Sequence, residues 1–137
     1  MIVDAGVLYS AASSRDTDHE AAAATLESWE GELVTSAFTA AEANHLILSR
    51  LGVGAEIEFV TSLASDFTVP TLDGRGLRVA AEVCQSYRDL EIGLADASIV
   101  VLARQFRTRC LATFDERHFR LVEPLSGGSF ELLPANR

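Results

Sequence analysis

Apolar residues in this chain come in short runs separated by longer amphipathic stretches, and the alternation predicts strands interleaved with helices. Met1 leads Ile2 and Val3 into a first buried strand, stopped by Asp4, Ala5 and Gly6, after which residues 7–12 form a turn of helix. Residues 13–18 are a polar break. Helical spacing resumes over residues 18–29, with Ala22, Leu26 and Trp29 on one stripe and Gly31 behind it. A second strand is predicted at 33–35. A helix capped by Ser36 or Thr39 then carries Phe38, Leu46 and Leu48 as far as Gly52, and another runs from about 54 to 64. A third strand, 67–69, ends at Pro70. Residues 75–88 form a helix with Leu77, Ala80, Ala81, Cys84 and Tyr87 at core spacing. The stretch 93–106 is apolar nearly all round, the pattern of a helix buried in the middle of a domain. Residues 109–114 hold a fourth strand, 115–119 a short helical turn, and 130–133 an edge strand.

Short apolar strands alternating with helices imply an α/β fold, a three-layer α/β/α sandwich around a mostly parallel sheet of four to five strands. A length of 137 residues suits one domain covering 1–137. No apolar run approaches membrane-spanning length and the N-terminus has no basic region, so a cytoplasmic protein with no membrane partner is expected. Cys84 and Cys110 stand outside any metal-ligand or redox spacing and are expected as reduced core thiols.

The net charge of −9 argues against general polyanion affinity and permits a basic partner. Lysine is absent. That excludes P-loop phosphate binding and Schiff-base catalysis, and also the phosphotransfer domains that pair an Asp after the first strand with a Lys. Glycines at 52 and 54 and at 74 and 76 lack the third glycine of a dinucleotide fingerprint and are read as turns. Glu42 and His45 have the Glu-x-x-His spacing of di-iron bundles, but such bundles need two copies on an all-helical frame. His45 is therefore read as a packed or surface residue; His19 and His118 lie in polar surroundings.

Four acids remain. Asp96 opens the apolar helix and shares a face with Ile99, Val100 and Ala103, where an unpaired carboxylate is very costly. Asp4 and Asp115 each follow a strand, so in a parallel sheet both fall at its carboxyl edge, where open α/β sheets place their sites. Glu42 begins a helix after a strand and falls at the same edge. Each has a bland reading: Asp4 as a turn former, Asp115 as the N-cap of 116–119, Glu42 as the far end of a capping box from Thr39. Against the box, Glu42 shares the inward face of Phe38 and Leu46. A convergence of four carboxylates is unfavourable without a cation between them. An all-oxygen set suits Mg²⁺ or Mn²⁺, an arrangement that hydrolyses phosphodiesters. Arg104, Arg107, Arg109, Arg117 and Arg120 cluster around the ends of the elements carrying Asp96 and Asp115. Their bland role is to complement helix dipoles; if they line the rim, they supply phosphate contacts to a nucleic acid, with Arg104, Arg117 and Arg120 as candidates.

With the acids placed, the chain resembles the PIN-domain ribonucleases and, within them, the VapC toxins of bacterial toxin–antitoxin pairs. The matching pieces run in order along the whole chain: 2–4, 41–43, 94–97 and the Thr113 to Phe119 run Thr-Phe-Asp-Glu-Arg-His-Phe. The resemblance implies an endoribonuclease using Asp4, Glu42, Asp96 and Asp115 around Mg²⁺ or Mn²⁺, with Thr113 beside the site. It also implies a homodimer and a small VapB-like antitoxin that covers the site. Family members often carry a hydroxyl residue just after the first Asp, where this chain has Ala5 and Gly6. Two other readings stay open: a housekeeping PIN nuclease that processes RNA without an antitoxin, and an acidic binding module that does no chemistry.

Overall fold

In the computed structural model, which describes residues 1–134, strand β1 (Ile2–Val3) lies beside β2 (Cys110–Ala112), and β3 (Glu131–Leu133) lies on the far side of β2. Both pairings are parallel, with Ile2 opposite Leu111, Val3 opposite Ala112, and Ala112 opposite Leu133. The predicted second and third strands are shorter than expected. Each contributes a single parallel bridge, Val34 beside Ile2 and Thr68 beside Val34. Hydrogen bonds from Val3 N to Val34 O and from Thr35 N to Thr68 O carry the sheet outward through these two segments.

Among the described residues seven helices surround the sheet: α1 (Ala5–Ala12), α2 (His19–Glu27), α3 (Ala37–Leu51), α4 (Val53–Asp66), α5 (Gly74–Ser86), α6 (Leu94–Gln105) and α7 (Glu116–Phe119), with a 3₁₀ turn at Arg88–Leu90. Because successive strand residues point to opposite faces, β1 and β2 divide their side chains between two cores. Ile2 and Leu111 pack with Ala80, Val83 and the apolar residues of α6, along with Phe119 and Phe130. Val3 and Ala112 pack with Val7 and Leu8 of α1, Ala43 and Ile47 of α3, and Phe59 of α4. This is the three-layer arrangement the alternation implies.

Helix α6 is buried from Ala97 through Ala103, as an element apolar on all sides must be. Other faces differ from the sequence reading. On α3 the buried side chains are Thr39, Ala40, Ala43 and Ile47, whereas Glu42 and Leu48 are exposed. The inward stripe thus lies one position round from the Phe38, Glu42, Leu46 row. On α5 it is Gly76, Ala80 and Val83 that turn inward, and Leu77 is 40% exposed. Helix α2 stops at Glu27, leaving Trp29 beyond its end. Among the described residues no helix is long and apolar enough to cross a membrane.

Candidate metal centre

The carboxyl edge of the sheet is where β1 and β2 release their chains into α1 and α7. Asp4 is the first residue after β1, and its carboxylate Oδ1 accepts the Ala5 N–H at 2.7 Å, capping α1. Continuing the Val3–Ala112 register by one step sets Asp4 beside Thr113. The Thr113 hydroxyl donates to Asp4 Oδ2 at 2.7 Å, and its oxygen accepts the Asp115 N–H at 3.0 Å. Thr113 is 2% exposed and ties the turn after β2 to the end of β1. The hydroxyl that holds Asp4 therefore comes from across the sheet, while the following positions, Ala5 and Gly6, carry none.

Asp115 serves two functions with two oxygens. Its Oδ1 accepts the His118 N–H at 3.1 Å and caps α7, and its Oδ2 lies 2.9 Å from His118 Nδ1. The same Nδ1 is 3.5 Å from Asp96 Oδ2. Asp96 sits in the first turn of α6, whose N-cap, Gly93, offers no side-chain acceptor, so the open N–H groups of that turn favour a negative charge beside them. One ligand atom each from Asp96, Asp115 and His118 fall within 4.8 Å of one another.

Glu42 is fully on the surface side of α3 yet close enough that its charge acts on both Asp4 and Asp96. Its helix is capped by Ser36, whose oxygen accepts the Thr39 N–H at 3.0 Å, so the capping box from Thr39 is not formed. A buried chain of hydroxyls fixes α3 to α6. Ser98 donates to Ala95 O at 2.6 Å, which leaves its oxygen to accept from Ser36 at 2.6 Å, and Ser36 in turn accepts from Thr39 at 2.8 Å. These three residues position the helices that carry Glu42 and Asp96.

The electrostatics of the edge are strained. Burial pushes the Asp4 carboxyl up from 3.8 to about 6, against the two hydrogen bonds that hold it down, and the charges of Asp96 and Glu42 push it further up. Asp96 is likewise raised, by burial first and by Asp115 next, with His118 opposing. A divalent cation would relieve this crowding, and His118 Nδ1, a buried atom between Asp96 and Asp115, faces the same space. The donor set therefore fits a metal ion.

The candidate arginines divide. Arg117 and Arg120 lie on and just after α7, at the acidic edge; Arg120 is engaged by Glu116 at 2.6 Å, while Arg117 is exposed. Arg104 is in the last turn of α6, eight residues beyond Asp96 and hence about 12 Å along the axis from it. With Arg107 and Arg109 it lines a cleft beside Ser126 instead. A helix carries its two ends to opposite edges of the sheet, so Arg104 stands at the end of α6 away from Asp96. His118 went unselected. Its signal was its place three residues after Asp115, the spacing that brings two side chains together on one turn.

Residues 1–123 match the PIN domain family. Ribonuclease VapC26 of Mycobacterium tuberculosis (strain ATCC 25618 / H37Rv) is 35% identical over 135 residues, which is 98% of this chain and 100% of that protein. Among solved structures, M. tuberculosis VapC20, described as a sarcin-ricin loop cleaving toxin, superposes with a TM-score of 0.77 at 20% identity, over 84% of this chain and 89% of that one. A toxin–antitoxin complex from Klebsiella pneumoniae superposes at 0.69 with 21% identity, over 86% and 88%. With a family match over most of its length and a VapC relative aligned end to end, the chain belongs to the PIN-domain family and, within it, to the VapC proteins.

Proposed function

We propose that this protein is a Mg²⁺- or Mn²⁺-dependent endoribonuclease, the toxin of a VapBC-type pair, acting in the cytoplasm as a single PIN domain. The observation that carries the reading is the meeting of Asp96, Asp115 and His118 within 4.8 Å at the sheet edge, beside the buried, destabilised Asp4. In this reading Asp4, Glu42, Asp96 and Asp115 form the acidic centre. A divalent ion held there would supply Lewis-acid polarisation of the phosphodiester and make a bound water more acidic. The protein holds the carboxylates at fixed spacing: Thr113 orients Asp4, the Asp115 N-cap orients its own Oδ2, and the Ser36–Ser98 link sets α3 against α6. Arg117, exposed on α7 beside the acids, supports a contact to the phosphate backbone of a bound RNA strand.

The antitoxin follows from the kinship with VapC26 and from the surface. An apolar groove lined by Leu8, Ala11, Leu26, Phe59 and Phe67 suits the apolar face of a partner segment. The acidic edge suits arginines on the same partner. Pairing with a second copy of the chain is supported by Val53, Ile57 and Val60, which share one face of α4 and are 63%, 62% and 51% exposed.

The test is RNA cleavage by the purified chain with Mn²⁺, beside Asp96→Asn. Metal-dependent cleavage that the substitution abolishes supports the nuclease. Undiminished cleavage by the variant overturns the assignment, and no cleavage by either under Mn²⁺ or Mg²⁺ favours a binding module. Co-purification of a small basic-rich partner separates a toxin from a housekeeping nuclease.

A further inference from the structure

His118 stands with Asp96 and Asp115 at the acidic edge, outside the four carboxylates of the acidic centre. Its side chain is 24% exposed, yet Nδ1 itself is buried. The atom lies close to two carboxylate oxygens, at 2.9 Å from Asp115 Oδ2 and 3.5 Å from Asp96 Oδ2. In the metal-free protein this nitrogen can carry a proton toward the two carboxylates; with an ion among the three groups it turns its lone pair to the metal instead.

Adjacent ligand atoms on an octahedral ion with bonds of about 2.1 Å lie about 3 Å apart. Nδ1 stands 2.9 Å from Asp115 Oδ2, the separation of neighbouring positions around one such ion, and 3.5 Å from Asp96 Oδ2, close enough that a small movement of either side chain brings it there. The backbone enforces the arrangement, since the Asp115 Oδ1 cap on the His118 N–H fixes the first turn of α7 and thereby the ring above it. Of the other histidines, His45 is exposed on α3, and His19 Nδ1 pairs with Ser10 O at 2.9 Å.

We propose that His118 Nδ1 is a direct nitrogen ligand of the divalent ion, completing with Asp96 and Asp115 a mixed nitrogen–oxygen set. The inference rests on the metal-centre reading given above. As a ligand the imidazole is neutral, and its ring proton resides on Nε2. One nitrogen among carboxylates shifts the site away from Mg²⁺, which takes oxygen, toward Mn²⁺. His118 thus sets metal preference as well as affinity.

The experiment is pulsed electron paramagnetic resonance of the full chain loaded with Mn²⁺, prepared with natural-abundance and with ¹⁵N-labelled histidine. Expected is a modulation from directly bound nitrogen that changes frequency on labelling, persists in His45→Gln and disappears in His118→Gln. The variant still binds Mn²⁺, about tenfold or more weakly, and its preference for Mn²⁺ over Mg²⁺ in a thermal-shift titration falls. A wild-type spectrum without bound nitrogen, or a signal that survives in His118→Gln, overturns the ligand assignment and leaves the metal centre standing. Mn²⁺ that fails to bind the wild-type chain overturns both. The labelled wild-type spectrum decides the question even if the variant does not fold.

Discussion

Thr113 donates its hydroxyl to Asp4 Oδ2 at 2.7 Å, joining two residues 109 positions apart in the chain. The bond follows directly from strand register, since Val3 pairs with Ala112 and the next residues on each strand must meet. The same oxygen accepts the Asp115 N–H, so one buried hydroxyl couples two of the acids on which the site depends. Thr113→Val removes both interactions while keeping the shape. We expect a loss of about 1–3 kcal/mol in stability and a fall in metal affinity, with Thr113→Ser recovering most of each. Urea unfolding and Mn²⁺ titration of the two variants check this; equal behaviour of Val and Ser would refute the coupling.

Asp4 makes the metal-free protein less stable at neutral pH. Its carboxyl is raised from 3.8 to about 6, so between those values the folded state keeps a proton that the unfolded chain has lost. Metal-free stability therefore falls as pH rises through that window and levels off above it, the reverse of an ordinary paired aspartate. The full effect is on the order of 3 kcal/mol. Asp4→Asn, which keeps the Ala5 cap, is expected to raise the melting temperature in chelator at pH 7 and to flatten the acid-side profile. It is also expected to abolish cleavage. A metal-free variant no more stable than wild type at pH 7 contradicts the expectation.

Divalent metal acts on the same strain from the other side. Binding to the folded state alone stabilises it by about 2.7 kcal/mol at one hundred times Kd, which is roughly 10 °C for a chain of this size. Differential scanning fluorimetry in Mn²⁺ and in chelator measures the shift. The gain should shrink in Asp96→Asn and Asp115→Asn, and identical curves for wild type in both buffers would argue against the centre.

The serine pair between α3 and α6 is a structural joint. Ser98→Ala leaves the buried Ser36 hydroxyl without its acceptor and is expected to cost about 1–2 kcal/mol. Because the joint aligns the helices of Glu42 and Asp96, Mn²⁺ affinity should drop with it. Loss of stability with unaltered metal affinity would show that the joint holds the fold only.

Two arginines give opposite expectations. Arg117→Ala is expected to raise KM for RNA several-fold with little change in kcat, since a phosphate contact positions the strand without entering the chemistry. Arg104→Ala, at the other end of α6, should leave both unchanged. Steady-state cleavage of a short RNA by each variant distinguishes them, and a larger effect at Arg104 would move the RNA path to the cleft it shares with Arg107 and Arg109.

Local pattern alone determined much of this protein. Short apolar runs alternating with helices, and a helix apolar on every side, oblige a covered parallel sheet, and strand ends then place Asp4 and Asp115 at one edge with the opening of α6. The tertiary structure decided what depends on side-chain direction and register. It turned the inward face of α3 by one position and left Glu42 exposed, reduced two strands to single bridges at Val34 and Thr68, and carried Arg104 to the far edge. It also drew His118, which looked like one polar residue among others, against Asp96 and Asp115. Periodicity specifies which residues a segment buries; which groups from distant segments meet within a few ångströms is fixed only once helices and strands pack against each other.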